Sequence, residues 1–365
     1  MAVLLEVGTA HARPGKISYG TYEGVALPSG GYDALPVIIA RGVEDGPTLW
    51  VTAGIHGPEY TGISVIHRLI TPDLVRSLHG TLVALPTLNP AGLRTGSRTA
   101  YYASNVDPNR LFPVRGAASG PETSPLNPLE AVYKRLFETL SESASFLIDL
   151  HNFSPGSLPF ALRDPIFYRD GRDRVAAQRL QTRIGEMLAV FGHTIVNEFV
   201  STDYLRKALH RSVSGAALNS ARIPAFTVEL GGYMSVDPAI VNAAVVGIRN
   251  VMRWGGMLTD EPEAITDIRV LNPAYPIRRM QHPFAPAAGI VQYLVKVGET
   301  LINGDTVARL TDIYGRPLGK NDGCIVTDYD GYVLGLSIGA VCYQNDSLLS
   351  LAVRDESDLI LPYPT

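Results

Sequence analysis

Residues 48–88 constrain the fold more than any other part of the chain. Residues 48–53 read as an apolar strand, residues 61–70 set Ile63, Ile66 and Ile70 at helical spacing, and residues 81–88 return to strand. Two strands joined through a helix run parallel with a right-handed crossover. The turn after the first strand, Gly54-Ile-His-Gly-Pro-Glu59, then lies beyond the strand's carboxyl end. Open α/β sheets place their ligands there. Strand patterns recur at 34–40, 146–150, 194–200 and 225–230, and helical faces at 129–140, 175–191 and about 206–221. A last helix opens with Asp237-Pro238, an N-cap followed by proline at the first helical position, and runs to about Trp254. This alternation is the α/β signature.

After about residue 265 the pattern changes to short strands with Gly and Asp turns. Gly289-Ile-Val291 is repeated about 42 residues on as Gly331-Tyr-Val333, and Val307-Ala-Arg-Leu310 is echoed by Leu348-Leu-Ser-Leu351. A duplicated β unit closing into a small barrel-like sandwich fits the repeat. We therefore expect an α/β domain over residues 1–265 and an all-β domain over residues 266–365. Lys320 is the only lysine between the two halves, and it lacks the flanking residues of a biotin or lipoyl attachment site. A carrier role is not expected.

Two imidazoles and two carboxylates stand out against this frame. His56 and Glu59 lie three residues apart in the Gly-rich turn and can close on one metal ion. His151 follows the strand pattern 146–150, and Glu229 follows an apolar run at 225–228. Two His and one Glu leave an open position on Zn²⁺, the mark of a catalytic site. Glu229 is then available as general base, since a carboxylate ending an apolar strand is costly to bury without a use. Asp149 shares a strand face with His151 and either supports a ligand or caps a turn. Residues 89–127 show no regular pattern, and loops this long in a compact domain are usually functional or disordered. This loop carries Arg94, Arg98, Asn109, Arg110 and Arg115. His11, His67, His79, His193, His210 and His282 lack comparable settings and are read as structural or surface residues.

The ordered set His56/Glu59, Asn89-Pro90, Gly96-Ser-Arg98, Asn109-Arg110, Asp149-Leu-His151-Asn152 and Glu229-Leu-Gly231 resembles the succinylglutamate desuccinylase/aspartoacylase family, a branch of the zinc carboxypeptidase superfamily. It spans roughly residues 35–255, and the β-rich tail resembles that family's small C-terminal domain. The resemblance implies a zinc-carboxypeptidase-like mixed sheet and hydrolysis of an amide bond on a small N-acylated amino acid. It also implies one Zn²⁺ per chain on His56, Glu59 and His151, Glu229 as the base, and Arg98 polarising the scissile carbonyl. Asn109 and Arg110 match the pair that grips a substrate carboxylate, with the guanidinium expected to do so through two prongs. The chain departs from the family in reading Asp107-Pro-Asn-Arg110 where Asp-Leu-Asn-Arg is common.

Bulk properties narrow the alternatives. A hydrophobic fraction of 46% and a charged fraction of 18% exclude a disordered chain. A net charge of −4 without a basic block gives no footprint for nucleic acid or an anionic membrane. The N-terminus is a poor signal peptide, and the only cysteines are Cys324 and Cys342, outside any CxxC pair. A soluble, cytoplasmic enzyme acting on a small-molecule amide is expected, and a homo-oligomer is left open. Two rivals are a carboxypeptidase acting on short peptides and a noncatalytic binding protein of the same fold.

Overall fold

The computed structural model describes residues 5–114, 126–337 and 339–363, so Arg115 lies outside the described residues. Strands Glu6–Val7 (β1) and Ala10–His11 (β2) pair with each other. Lys16–Ala26 (β3) and Tyr32–Arg41 (β4) form an antiparallel pair. Between them, Gly30 and Gly31 both take positive φ, +88° and +76°, which a side chain would oppose. Next come Glu44–Ala53 (β5), Thr61–Leu69 (α1), Pro72–Ser77 (α2) and His79–Leu85 (β6). β5 and β6 are parallel, as the β-α-β pattern predicts.

Pro90–Thr95 (α3) and a 3-10 turn at Pro108–Arg110 stand in the stretch predicted to be irregular. Asn89 accepts from Gly92 N–H at 2.9 Å and Gly96 closes the helix at φ +62°. These end signals are legible, but six residues are too few for a helical period to show. Pro128–Ser143 (α4), Phe146–Phe153 (β7), Phe160–Arg163 (β8), Ile166–Tyr168 (β9), Gly171–Phe191 (α5) and Thr194–Asn197 (β10) follow.

The helix expected over 206–221 is broken into Ser201–Arg206 (α6), a 3-10 turn, Val213–Ala216 (α7) and a π-turn. The Ser212 hydroxyl accepts from Gly215 N–H at 2.9 Å, and this local bond starts a new turn rather than continuing the old one. Ala225–Gly232 (β11) and Pro238–Trp254 (α8) complete the α/β part. Asp237 caps α8 as expected, and the helix buries Val241, Ala244, Ile248 and Val251, a 3.6-residue stripe, while packing on α1 and α5.

The tail contributes Ile277–Gln281 (β12), Gly289–Tyr293 (β13), Thr300–Leu301 (β14), Thr306–Thr311 (β15), Cys324–Val326 (β16), Gly331–Leu336 (β17), Val341–Cys342 (β18), Leu349–Arg354 (β19) and Ile360–Pro362 (β20). The repeat is visible in the pairing. The short strand of each half joins the first strand of the other, β14 on β17 and β18 on β13. Val291, Val307 and Leu310 from one half and Val333, Leu349 and Leu351 from the other share one apolar core.

A mixed 12-stranded sheet runs in the order β14-β17-β19-β12-β10-β8-β11-β7-β5-β6-β4-β3, with a separate four-stranded sheet β16-β15-β13-β18. This is the expected α/β class with small additional antiparallel sheets. The tail is continuous with the main sheet, because β12 lies parallel to β10 with Asn197 opposite Arg278. Arg278 secures the junction. Its Nε and Nη2 donate to the Asp355 carboxylate at 2.9 and 2.6 Å, and its Nη1 donates to Glu198 O at 2.5 Å. A buried guanidinium–carboxylate fork of this kind fixes orientation as well as distance. It thereby places the neighbouring Arg279 and Gln281. No described helix is long and apolar enough to cross a membrane.

Candidate functional site

The turn after β5 is held tightly against α3. Gly54 has φ +57°, and a Cβ on Gly57 would come within 2.0 Å of Gly92 O, so glycine is required at this approach. Gly57 N–H donates to Ser97 O at 3.0 Å and the Asn89 amide donates to Ile55 O at 3.1 Å. The Asn89-Pro90 pair is thus structural, capping α3 while clamping the turn. His56 and Glu59 project from that turn, and His151 projects from β7. On the neighbouring parallel strand β11, Glu229 is the register partner of His151.

His56, Glu59 and His151 are all buried, and one ligand atom from each lies within 4.8 Å of the others. His56 Nδ1 is 2.7 Å from Glu59 Oε1 and His151 Nδ1 is 2.9 Å from Glu59 Oε2. Each imidazole turns its other nitrogen to an aspartate. His56 Nε2 lies 3.1 Å from Asp107 Oδ1, and His151 Nε2 lies 2.8 Å from Asp149 Oδ2. Asp149 therefore stands behind the candidate ligand His151 rather than capping a turn. Carboxylates placed in this way fix the tautomer and orientation of metal-binding imidazoles. Burial would raise the Glu59 carboxyl, but the two imidazoles hold it well below the usual carboxylate range. Burial likewise opposes protonation of His151, yet Asp149 and Glu59 raise it well above its ordinary value. Such a site favours a cation, and its mixed nitrogen and oxygen donors fit a divalent metal ion.

Asn152 ties these strands together. Its backbone N–H donates to Glu59 Oε2 at 3.1 Å, and its side-chain amide donates to Thr61 Oγ1 and Leu230 O, both at 2.9 Å. Glu229 is 7% exposed, and its Oε2 has no hydrogen-bond partner. Burial raises its pKa. It opens with His56 and His151 into a cavity of about 330 Å³.

Arg98 lies at the mouth with a side chain 54% exposed, donating to Asp107 Oδ2 at 2.9 Å and standing 3.8 Å from Glu59 Oε1. Arg110 lines the same cavity, but Nε and Nη1 donate to Lys207 O and Asn109 O, each at 2.7 Å. These bonds use two of the five guanidinium N–H groups, so Nη2 and the second N–H of Nη1 carry no hydrogen bond among the described residues. Asn109 also lines the cavity. Its Oδ1 accepts from Val213 N–H at 2.9 Å and its Nδ2 is 3.3 Å from His151 Nε2. Arg94 is paired instead with Asp33 at 2.7 Å and is not among the cavity's lining residues.

Several lining groups escaped sequence reading. Asp164 follows β8, Glu198 follows β10, and Arg279 and Gln281 come from β12 in the tail. Asp107 was visible within the Asp-Pro-Asn-Arg motif, but its bond to His56 was not.

Comparison with known proteins identifies the family and the fold. Residues 45–254, more than half of the chain, match the succinylglutamate desuccinylase/aspartoacylase catalytic domain. The chain belongs to this family. It is 25% identical over 288 residues to the N-alpha-acetyl-L-2,4-diaminobutyric acid deacetylase of Halomonas elongata, covering 76% of this chain and 74% of that one. A succinylglutamate desuccinylase from Silicibacter superposes with a TM-score of 0.72 at 19% identity, over 93% of this chain and 95% of the other. The product-bound ectoine utilization protein of Ruegeria pomeroyi gives 0.71 at 20% identity, over 92% and 95%. At these identities the two structures establish the shared fold alone.

Proposed function

We propose that the protein is a zinc-dependent amidohydrolase that removes the acyl group from a small N-acylated amino acid. One observation carries the reading. Glu229, whose Oε2 is unpartnered, stands beside His151 on the adjacent strand and opens into the cavity lined by His56 and His151, two of the three candidate ligands. Family membership and the deacetylase relative support the same class of reaction.

His56 Nδ1, Glu59 and His151 Nδ1 would hold the ion. Bound zinc supplies a Lewis acid for the scissile carbonyl and acidifies a water molecule. Glu229 accepts the proton of the attacking water as the C–O bond forms, and delivers it to the amine as the C–N bond breaks. Its raised pKa suits a group that must both take and return a proton. Arg98, beside Glu59 at the mouth, stabilises the negative charge that develops on the carbonyl oxygen. Arg110 Nη2 meets a carboxylate on the substrate, and Asn109 braces Arg110 and His151. The His56, Arg98 and His151 edge of the cavity takes the acyl amide.

The zinc-loaded protein should cleave some members of a panel of N-acetyl, N-succinyl and N-formyl amino acids, with release of the free amino acid. If no panel compound is cleaved and a carboxyl-terminal residue is released from short peptides instead, the peptidase reading replaces this one.

A further inference from the structure

One end of the cavity is acidic in a way that the reaction above does not use. Asp164 is 4% exposed and forms part of the cavity wall. Its Oδ2 accepts from Tyr204 Oη at 3.1 Å and from Ser214 Oγ at 3.3 Å. No hydrogen bond or ion pair among the described residues reaches its Oδ1. The other buried acid at this end is satisfied: Glu198 Oε1 accepts from Phe199 N–H at 2.9 Å and Oε2 from Arg279 Nη1 at 3.2 Å. The nearby cations are engaged elsewhere. Arg279 is bound to Glu198, Lys207 Nζ donates to Gln281 Oε1 at 3.2 Å, and two nitrogens of Arg110 hold backbone carbonyls. Asp164 is therefore the one acid of this wall that makes no ion pair among the described residues, with Arg279 acting on it only at longer range.

A chain of hydroxyls links Asp164 to the reacting end. Ser214 Oγ lies 2.8 Å from Thr227 Oγ1, and Thr227 precedes Glu229 by two residues on β11 and so shares its face. Two residues along a strand span about 7 Å. Leu162 and Asp164 are related in the same way where β8 ends, so one sheet face forms a continuous floor from the base to the acid.

We infer that Asp164 is the binding group for a cationic substrate side chain, so that the preferred substrates are N-acyl derivatives of diamino acids. This rests on the deacylase reading and narrows it to one substrate class. An alkylammonium has three donors and no acceptor, matching a free carboxylate oxygen flanked by hydroxyl oxygens. Burial, with the Glu198 carboxylate nearby, pushes the Asp164 carboxyl up to about 7, because no paired cation holds its charge at this depth. An ammonium arriving there supplies that partner. The aliphatic part of the substrate side chain would lie along this floor, in the cavity that Glu229 and Asp164 both line. A substrate with a neutral side chain leaves the carboxyl uncompensated.

The test compares paired ligands on the zinc-loaded protein. Calorimetry should show 2,4-diaminobutyrate, ornithine or lysine binding one to two powers of ten more tightly than norvaline or norleucine, the range of a charge-assisted hydrogen bond. Their N-acetyl derivatives should differ in kcat/KM in the same direction. Asp164→Asn, which keeps an acceptor for Tyr204 and Ser214, should narrow both ratios. The ligand series on the unaltered protein decides the point even if the variant does not fold. Equal binding of cationic and neutral amino acids overturns the assignment, as does a preference for an acidic side chain. In either case, cleavage of any N-acetyl compound leaves the deacylase reading standing. Tight binding of the diamino acids with no cleavage of any N-acyl compound has the opposite meaning: the subsite is real and the proposed reaction is wrong.

Discussion

Asp149 Oδ2 lies 2.8 Å from His151 Nε2, on a carboxylate with no solvent exposure. Its other oxygen accepts from Thr52 Oγ1 at 2.6 Å, so the acid is anchored from the neighbouring strand. The pair fixes which nitrogen of His151 turns toward Glu59. Asp149→Asn keeps the size of the group but loses the charge. It should weaken metal binding by about 10- to 100-fold, the usual effect of losing a carboxylate behind a ligand histidine. Competition with a chromogenic chelator measures this directly. Unchanged affinity would mean that Asp149 does not support the ligand.

Glu229→Gln separates metal binding from chemistry. The substitution should leave the metal content as it is, since no hydrogen bond among the described residues joins Glu229 to Glu59 or the two imidazoles and Glu229 is not one of the three candidate ligands. kcat should fall by about two to four powers of ten, the range for loss of a positioned general base. KM should change little, because the substrate is held elsewhere. A near-normal kcat would assign the base to another residue.

His193 provides a check on stability away from the site. It is 3% exposed, with its ring packed on Phe191 at 4.5 Å. Burial lowers its pKa to about 4 from an ordinary 6.5. Between those values the unfolded chain takes up a proton that the folded chain refuses. Stability from this residue is therefore complete above pH 6.5 and declines as pH falls toward 4. The loss at pH 5 amounts to roughly 2 kcal/mol. Urea unfolding at pH 7 and pH 5 should show a smaller decline for His193→Leu than for the unaltered protein. Equal declines would show that His193 is protonated in the folded state.

Local chemistry and sequence period explain which features could be read in advance. His56, Glu59, His151 and Glu229 were visible because each stands near or just beyond the carboxyl end of an apolar strand, and parallel strands bring those ends together. The α8 boundaries were visible because Asp237-Pro238 is a strong start signal. Asp164, Glu198 and Arg279 were not. Their meeting depends on β12 joining β10 beside β8, a pairing between segments about 80 residues apart in sequence that no local pattern specifies. The loop from 89 to 114 fell between these cases. Its cap residues were legible, but the bond from Asp107 to His56 is a long-range contact. The broken helix at 201–221 shows a local hydrogen bond at Ser212 overriding an apparent helical spacing.

Arg110 tests the substrate class most directly. Its Nε and Nη1 hold Lys207 O and Asn109 O at 2.7 Å, and its Nη2 comes no closer than 3.9 Å to Asp107 Oδ2. Nη2 and the second N–H of Nη1 are thus free for a substrate carboxylate, on a guanidinium whose orientation is already fixed by the chain. An acid substrate should exceed its neutral amide in kcat/KM by about one to two powers of ten, equivalent to roughly 1.5–3 kcal/mol for a hydrogen bond to a charged group. Arg110→Ala should erase that difference while zinc content stays the same. Arg110→Lys should restore part of it, because an ammonium carries the charge but cannot hold two carbonyls and a carboxylate in one plane. Rates for acid and amide substrates measured across the three proteins decide the matter. If the unaltered enzyme cleaves the amide as readily as the acid, Arg110 only orders the loop between Asn109 and Lys207, and the carboxylate is bound elsewhere or not recognised at all.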